Sequence, residues 1–133
     1  MNLSTFREIG SSLAKQTSIA ISKEVIFEPT GIKYDKKQMN ESLGRYHFRM
    51  LQADHITVRA WINWRKTLGL ARLGIRGDFL PTSGHIITGM KFKPNANYKC
   101  ATEGGPGEWT LAIRSVNEMN YKIALEALRH AFS

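Results

Sequence analysis

Apolar and polar positions along the chain change period several times, and each period predicts an element. Leu3, Phe6, Ile9 and Leu13 recur at helical spacing through LSTFREIGSSLAKQTSIAIS, set among serines and threonines. KEVIFEP is a short β-branched and aromatic run stopped by Pro29, which reads as a strand, and the polar YDKKQMNESLG after it reads as a loop. In RYHFRMLQ the period falls to two. Tyr46, Phe48 and Met50 share one face and Arg45, His47 and Arg49 the other, so an apolar side can pack on a core while an Arg/His/Arg side looks outward.

From Thr57 the spacing of Val58, Trp61, Ile62, Trp64, Leu68 and Ala71 predicts a helix over about 57–73, with Thr57 as its N-cap and an end near Gly74. IRGDFLP and HIITGMKFKP read as further strands, and PNANYKCATEGGPG as a loop by its Pro, Gly and Asn content. EWTLAIRSV is a strand, and MNYKIALEALRHAF an amphipathic helix over about 119–132. The irregular order of strands and helices predicts an α+β fold: a single compact domain with an antiparallel or mixed sheet and two main helices, about 57–73 and 119–132.

Charge changes this picture more than composition does. The 133 residues carry nineteen Lys and Arg against eleven Asp and Glu, a net +8. From Lys33 to Lys99 thirteen basic residues face four acidic ones, while the two ends together are nearly neutral. An excess confined to the middle of the chain points to a polyanion partner, with nucleic acid ahead of an acidic membrane surface. No apolar run approaches the ~18–20 residues needed to cross a bilayer, so a soluble or peripheral protein is expected. Cys100 is the single cysteine, which excludes an intrachain disulfide framework and points to a reducing compartment. The first segment, Ser-rich and acid-poor, also has the character of an organelle-targeting peptide.

Enzymatic readings find little support. His47, His55, His85 and His130 are scattered, without metal-ligand spacing, and nothing local would activate Cys100 as a nucleophile. GGPG at Gly104 to Gly107 lacks the GK[ST] of a phosphate loop and precedes a strand rather than a helix. No catalytic residue, metal or cofactor is therefore expected. What holds together is a set of arginines interleaved with aromatics, suited to phosphate and base contacts on RNA.

The order of residues in GRYHFRMLQADHITVR, Gly44 to Arg59, resembles a segment of the ribosomal protein family numbered sixteen in the bacterial large subunit. Gly44, Tyr46, Leu51, Ile56, Thr57 and Arg59 match, and Arg45 stands where the family has lysine. The likeness continues through Arg76 and Gly77, FLP ending at Pro81, Gly104, Pro106 and Trp109, WTLAI, and the helix IALEALRHAF. Residues 1–40 have no counterpart, so the resemblance sets them apart as an N-terminal extension without an assigned role, ahead of a domain over 41–133, and the family's basic loop motif is replaced by YKCATEG.

The resemblance implies an RNA-binding domain of a large ribosomal subunit, near the transfer-RNA and peptidyl-transferase region, in which the Ile-Thr pair opens a helix. By position it implies ribosomal-RNA contacts from Arg45, Tyr46, Arg49, Arg59, Arg65, Lys66, Arg72 and Arg76. It also implies a loop toward transfer RNA carrying His85, Lys91, Lys93 and Lys99. Partners would be large-subunit ribosomal RNA, neighbouring ribosomal proteins and transfer RNA, with no membrane. The eroded basic loop favours a mitochondrial ribosome over a bacterial or plastid one. A nucleic-acid-binding regulator outside the ribosome is the alternative, and an enzyme using Cys100 or a histidine the next.

Overall fold

The computed structural model describes residues 2–29, 45–51, 59–80, 89–94 and 107–133. Helix α1 spans Leu3–Ile21 and is followed by strands β1 (Val25–Pro29), β2 (Arg45–Met50), β3 (Ala60–Arg65), β4 (Leu70–Arg76), β5 (Lys91–Lys93) and β6 (Glu108–Ile113). Helix α2, Met119–Phe132, closes the chain. The strands form one sheet, antiparallel throughout, in the order β1-β2-β3-β4-β6-β5, so β6 inserts between β4 and the short edge strand β5. The α+β class holds, and among the described residues the arrangement is a single six-stranded sheet with two helices.

Local chemistry explains where these elements begin. Asn2 caps α1, its side-chain oxygen accepting from Thr5 N at 2.8 Å, and Ser22 ends the helix in the left-handed region at φ 56°. The Ser18 hydroxyl then ties α1 to the first strand, donating to Ala14 O at 2.9 Å while accepting from Val25 N at 2.8 Å. In α2, the Asn120 amide donates to Ala112 O at 2.7 Å, holding the first turn against β6.

Both helices pack on the same side of the sheet. Phe6, Ile9 and Leu13 of α1 are fully buried with Phe48, Ile62, Leu73, Ile75, Ile113 and, from α2, Leu128 and Phe132. Alternation in the strands supplies the apolar side, as an antiparallel sheet covered on one face requires. Gly10 is needed for the approach of α1 to β1, because a Cβ there would lie 2.2 Å from the Phe27 ring. The Ser12 and Tyr121 hydroxyls, 2.5 Å apart, join the two helices. The segment set apart as an N-terminal extension thus supplies a helix and an edge strand to the common core.

The predicted helix over about 57–73 does not form. Residues 60–76 are instead a hairpin, with Ala60 opposite Ile75, Ile62 opposite Leu73 and Arg65 opposite Leu70. A 3-10 turn at Lys66–Leu68 joins its strands, and Gly69 leaves the turn at φ 63°, a conformation that suits glycine. The first turn of the predicted helix, with Thr57, lies outside the described residues. Alternation here was obscured because Trp61 and Leu70 are buried on the side of the sheet opposite the helices, so both sides of the hairpin carry apolar groups. The run IRGDFLP is also shorter as a strand than its composition predicts, since Gly77–Phe79 turns as a 3-10 segment.

Candidate nucleic-acid interface

Registration of the strands decides which polar residues meet. Because α1 and α2 pack on the side that bears Tyr46, Phe48, Ile62, Leu73 and Leu111, the alternate residues occupy the opposite face. One row across that face runs Arg45, Asn63, Arg72, Ala112, and the next runs His47, Trp61, Gly74, Thr110, Lys91. A further row brings Arg76, Glu108 and Lys93 side by side. Arg65 lies at the hairpin end opposite Leu70. Cations from four strands far apart in sequence are therefore gathered on one face. Arg45, Arg65, Lys91 and Lys93 are exposed, and Arg72 and Arg76 half-buried.

Part of this charge is already committed. Arg49 pairs with Glu28 at 2.7 Å, and Arg76 Nε lies 3.0 Å from Asp78 Oδ1. Arg45 Nε donates to Asn63 Oδ1 at 2.9 Å, a neutral partner that aims the guanidinium without cancelling it. Trp61 lies against Gly74, where a Cβ would stand 2.3 Å from the indole nitrogen. Burial holds the Glu108 carboxyl above its ordinary range, although the positive charges of Lys93, Arg45 and Arg72 pull it down.

His47 sits beside Trp61 in register, and burial, then repulsion from Arg45, lower its pKa below the ordinary 6.5, with Glu28 opposing. The unfolded chain therefore takes up a proton more readily at this position. Stability from a neutral His47 is present above about pH 6.5 and is lost as pH falls through the lowered value. The denaturation midpoint should drop more between about pH 7 and about pH 5 in the native chain than in His47→Gln. Equal drops in the two proteins would show that His47 is not coupled to folding.

The residues expected to meet RNA divide into several groups. Arg45, Arg65, Arg72, Lys91 and Lys93 converge on the sheet face. Lys66 is exposed in the β3–β4 turn beside them, while Arg49 and Arg76 share the face in ion pairs. Tyr46 lies on the helix side of the sheet, 8% exposed and stacked on Phe27 at 4.4 Å. Arg59 is turned to α2, donating to Ala131 O at 3.0 Å with its guanidinium 4.8 Å over the Phe79 ring. That interaction satisfies a carbonyl of the last helical turn and places a cation at the negative helix end, a structural role. His85, Lys99, His55 and Cys100 lie outside the described residues.

Sequence reasoning missed Glu108, Trp61 and Asn63, which share the face with the cations. Alternation within EWTLAI was the available signal, since it puts Glu108 opposite the side of Trp109 and Leu111. His130 lines a cleft of about 450 Å³ between the C-terminal ends of α1 and α2, with Lys23 and Arg129. Among the described residues no group of His, Cys, Asp or Glu is placed to hold a metal ion, and no helix is long and apolar enough to cross a membrane. Comparison with protein-family models, curated proteins and solved structures finds no match to this chain.

Proposed function

We propose that the chain binds single-stranded RNA through the sheet face opposite its helices. The observation that carries this reading is the convergence of Arg45, Arg65, Arg72, Lys91 and Lys93 on one face from strands distant in sequence. Arginine presents a planar fork that fits phosphate, and a broad basic sheet tracks an extended backbone better than a duplex groove. Groove recognition calls for a helix or two-stranded ribbon that can enter it, whereas α1 and α2 spend their apolar faces on the core. Trp61, on this face, packs against Gly74 and is only 8% exposed. Binding is accordingly phosphate-directed rather than built on stacking, which fixes position more than sequence.

Membership of a large ribosomal subunit, mitochondrial by preference, is a narrower form of this proposal. It draws on the resemblance over Gly44 to Phe132. Residues 60–76 form a hairpin where that family opens a helix, and two of the matching positions, Tyr46 and Arg59, have packing roles here. The broader reading is the one the geometry favours. Titration of the chain with a single-stranded RNA across salt concentrations tests it. Engagement of about four to five phosphates gives a slope of log K against log salt near −3. Failure to bind at about 50 mM salt, or binding independent of salt, would remove the reading. Sedimentation with large subunits at moderate salt tests the narrower form.

A further inference from the structure

The tryptophan on the cationic face is buried, and the aromatic that stays accessible lies at the edge of the sheet. Among the described residues Phe92 is the exposed aromatic, at 41%. It is the middle residue of the edge strand β5, between Lys91 and Lys93. Alternation puts the two lysines on the cationic face, in register with Thr110 and Glu108, and the Phe92 side chain on the other, in register with Trp109. The ring is held rather than loose. Its centroid lies 4.7 Å from that of Trp109, a core residue, and a Cβ on Gly107 would stand 2.7 Å from the ring, so glycine there makes room for it. A ring supported on its inner side and exposed on its outer side loses little freedom when something stacks on it. Neither lysine is in an ion pair with a described residue.

We infer that Phe92 is a stacking platform for one unpaired base of RNA, whose flanking phosphates are held by Lys91 and Lys93. Residues two apart in a strand are separated by about 6.6 Å, close to the step between successive phosphates of an extended single strand. Lys91 and Lys93 therefore match one nucleotide step, and the base of that nucleotide reaches over the sheet edge to the ring between them. Every base has a flat π face, so such a contact adds affinity without selecting sequence. A duplex keeps its bases stacked on one another, which leaves an unpaired strand as the ligand. The other exposed large apolar residues, Ile19, Leu51, Leu68 and Met119, are aliphatic and offer no such face. The inference rests on the RNA-binding reading above and adds a single base contact to its phosphate contacts.

The test uses the full chain and two oligomers of about ten units, an oligouridine and the same ribose-phosphate backbone without bases, compared at about 0.1 M salt. The native chain should prefer oligouridine by about tenfold, and Phe92→Ala should lose that preference by weakening oligouridine alone. Its affinity for the abasic oligomer and its salt slope on oligouridine should stay native, which also shows that the variant is folded with its phosphate contacts intact. Phe92→Tyr, which keeps the ring, should bind as the native chain does. Four results would overturn the inference while leaving RNA binding in place. They are equal native affinities for the two oligomers, a preference that survives in Phe92→Ala, a matching loss on the abasic oligomer, and binding by Phe92→Tyr as weak as by Phe92→Ala. Binding to neither oligomer would overturn both.

Discussion

Phe6→Ala should lower the free energy of unfolding by about 3–5 kcal/mol, the range for removing a fully buried phenylalanine. Phe6 is 0% exposed and links α1 to three strands at once. Its ring centroid lies 6.1 Å from Phe27 in β1, 5.5 Å from Tyr46 in β2 and 6.3 Å from Trp64 in β3. Such ring pairs add about 0.5–1.5 kcal/mol beyond their buried area. Ala14 and Thr17, further along the same helix, are small and leave no side chain long enough to refill the space. Against a total stability of about 5–15 kcal/mol for a domain of this kind, the loss is a large fraction. Chemical denaturation measures it directly. A change below about 1 kcal/mol would mean that α1 is an appended arm outside the core.

The second large effect concerns binding. Arg45→Ala, Arg72→Ala and Lys93→Ala combined should weaken single-stranded RNA on the order of a hundredfold at about 0.1 M salt. Each phosphate neutralised on a single strand contributes about 0.7 to the logarithmic salt slope, so removing three of the cations that do so weakens binding at that salt by about two decades. These three residues are chosen because they share the sheet face and because none is engaged in an ion pair with a described residue. Arg49 and Arg76 are poorer choices, since each is engaged by a carboxylate, and Arg59 poorer still, since it supports the end of α2. Exposed or half-buried strand positions of this kind tolerate alanine with little effect on stability, so the loss should appear in binding while the denaturation midpoint stays close to native. A loss of less than about threefold would mean that these cations do not meet phosphate.

How much of this was legible depended on whether each segment carries a single clean period. Strand β2 was legible to the residue because Tyr46 and Phe48 are buried and Arg45, His47 and Arg49 are not. Strand β6 and helix α2 were legible for the same reason. The β3–β4 hairpin was not, because Trp61 and Leu70 are buried on the polar side of the sheet. With apolar groups on both sides, Trp61, Trp64 and Leu68 fall at spacings that also suit a helix. Its turn chemistry, RKTLG with Gly69 in the left-handed region, was the better signal. The helical spacing of Phe6, Ile9 and Leu13 was visible, but not what they pack against, because that surface is assembled from strands distant in sequence.

The candidate site was half legible for a related reason. Period two in RYHFRM separated the outward Arg45 from the inward Tyr46. The gathering of Arg72, Lys91 and Lys93 beside Arg45 depends on β6 inserting between β4 and β5, a strand order that no local pattern encodes. Glu108 drew no attention as an isolated acid next to a tryptophan, although strand pairing sets it between Arg76 and Lys93.

The most direct test of the central claim compares salt slopes of RNA binding in three proteins. These are the native chain, the sheet-face variant lacking Arg45, Arg72 and Lys93, and a control in which the exposed Lys15, Lys23 and Lys122 on the helix side become alanine. Both variants lose the same net charge. The sheet-face variant should show a slope shallower by about 2, and the control a slope close to native. Equal changes in the two variants would mean that RNA responds to net charge alone, and a larger change in the control would place binding on the helices; either result contradicts the sheet face as the binding surface.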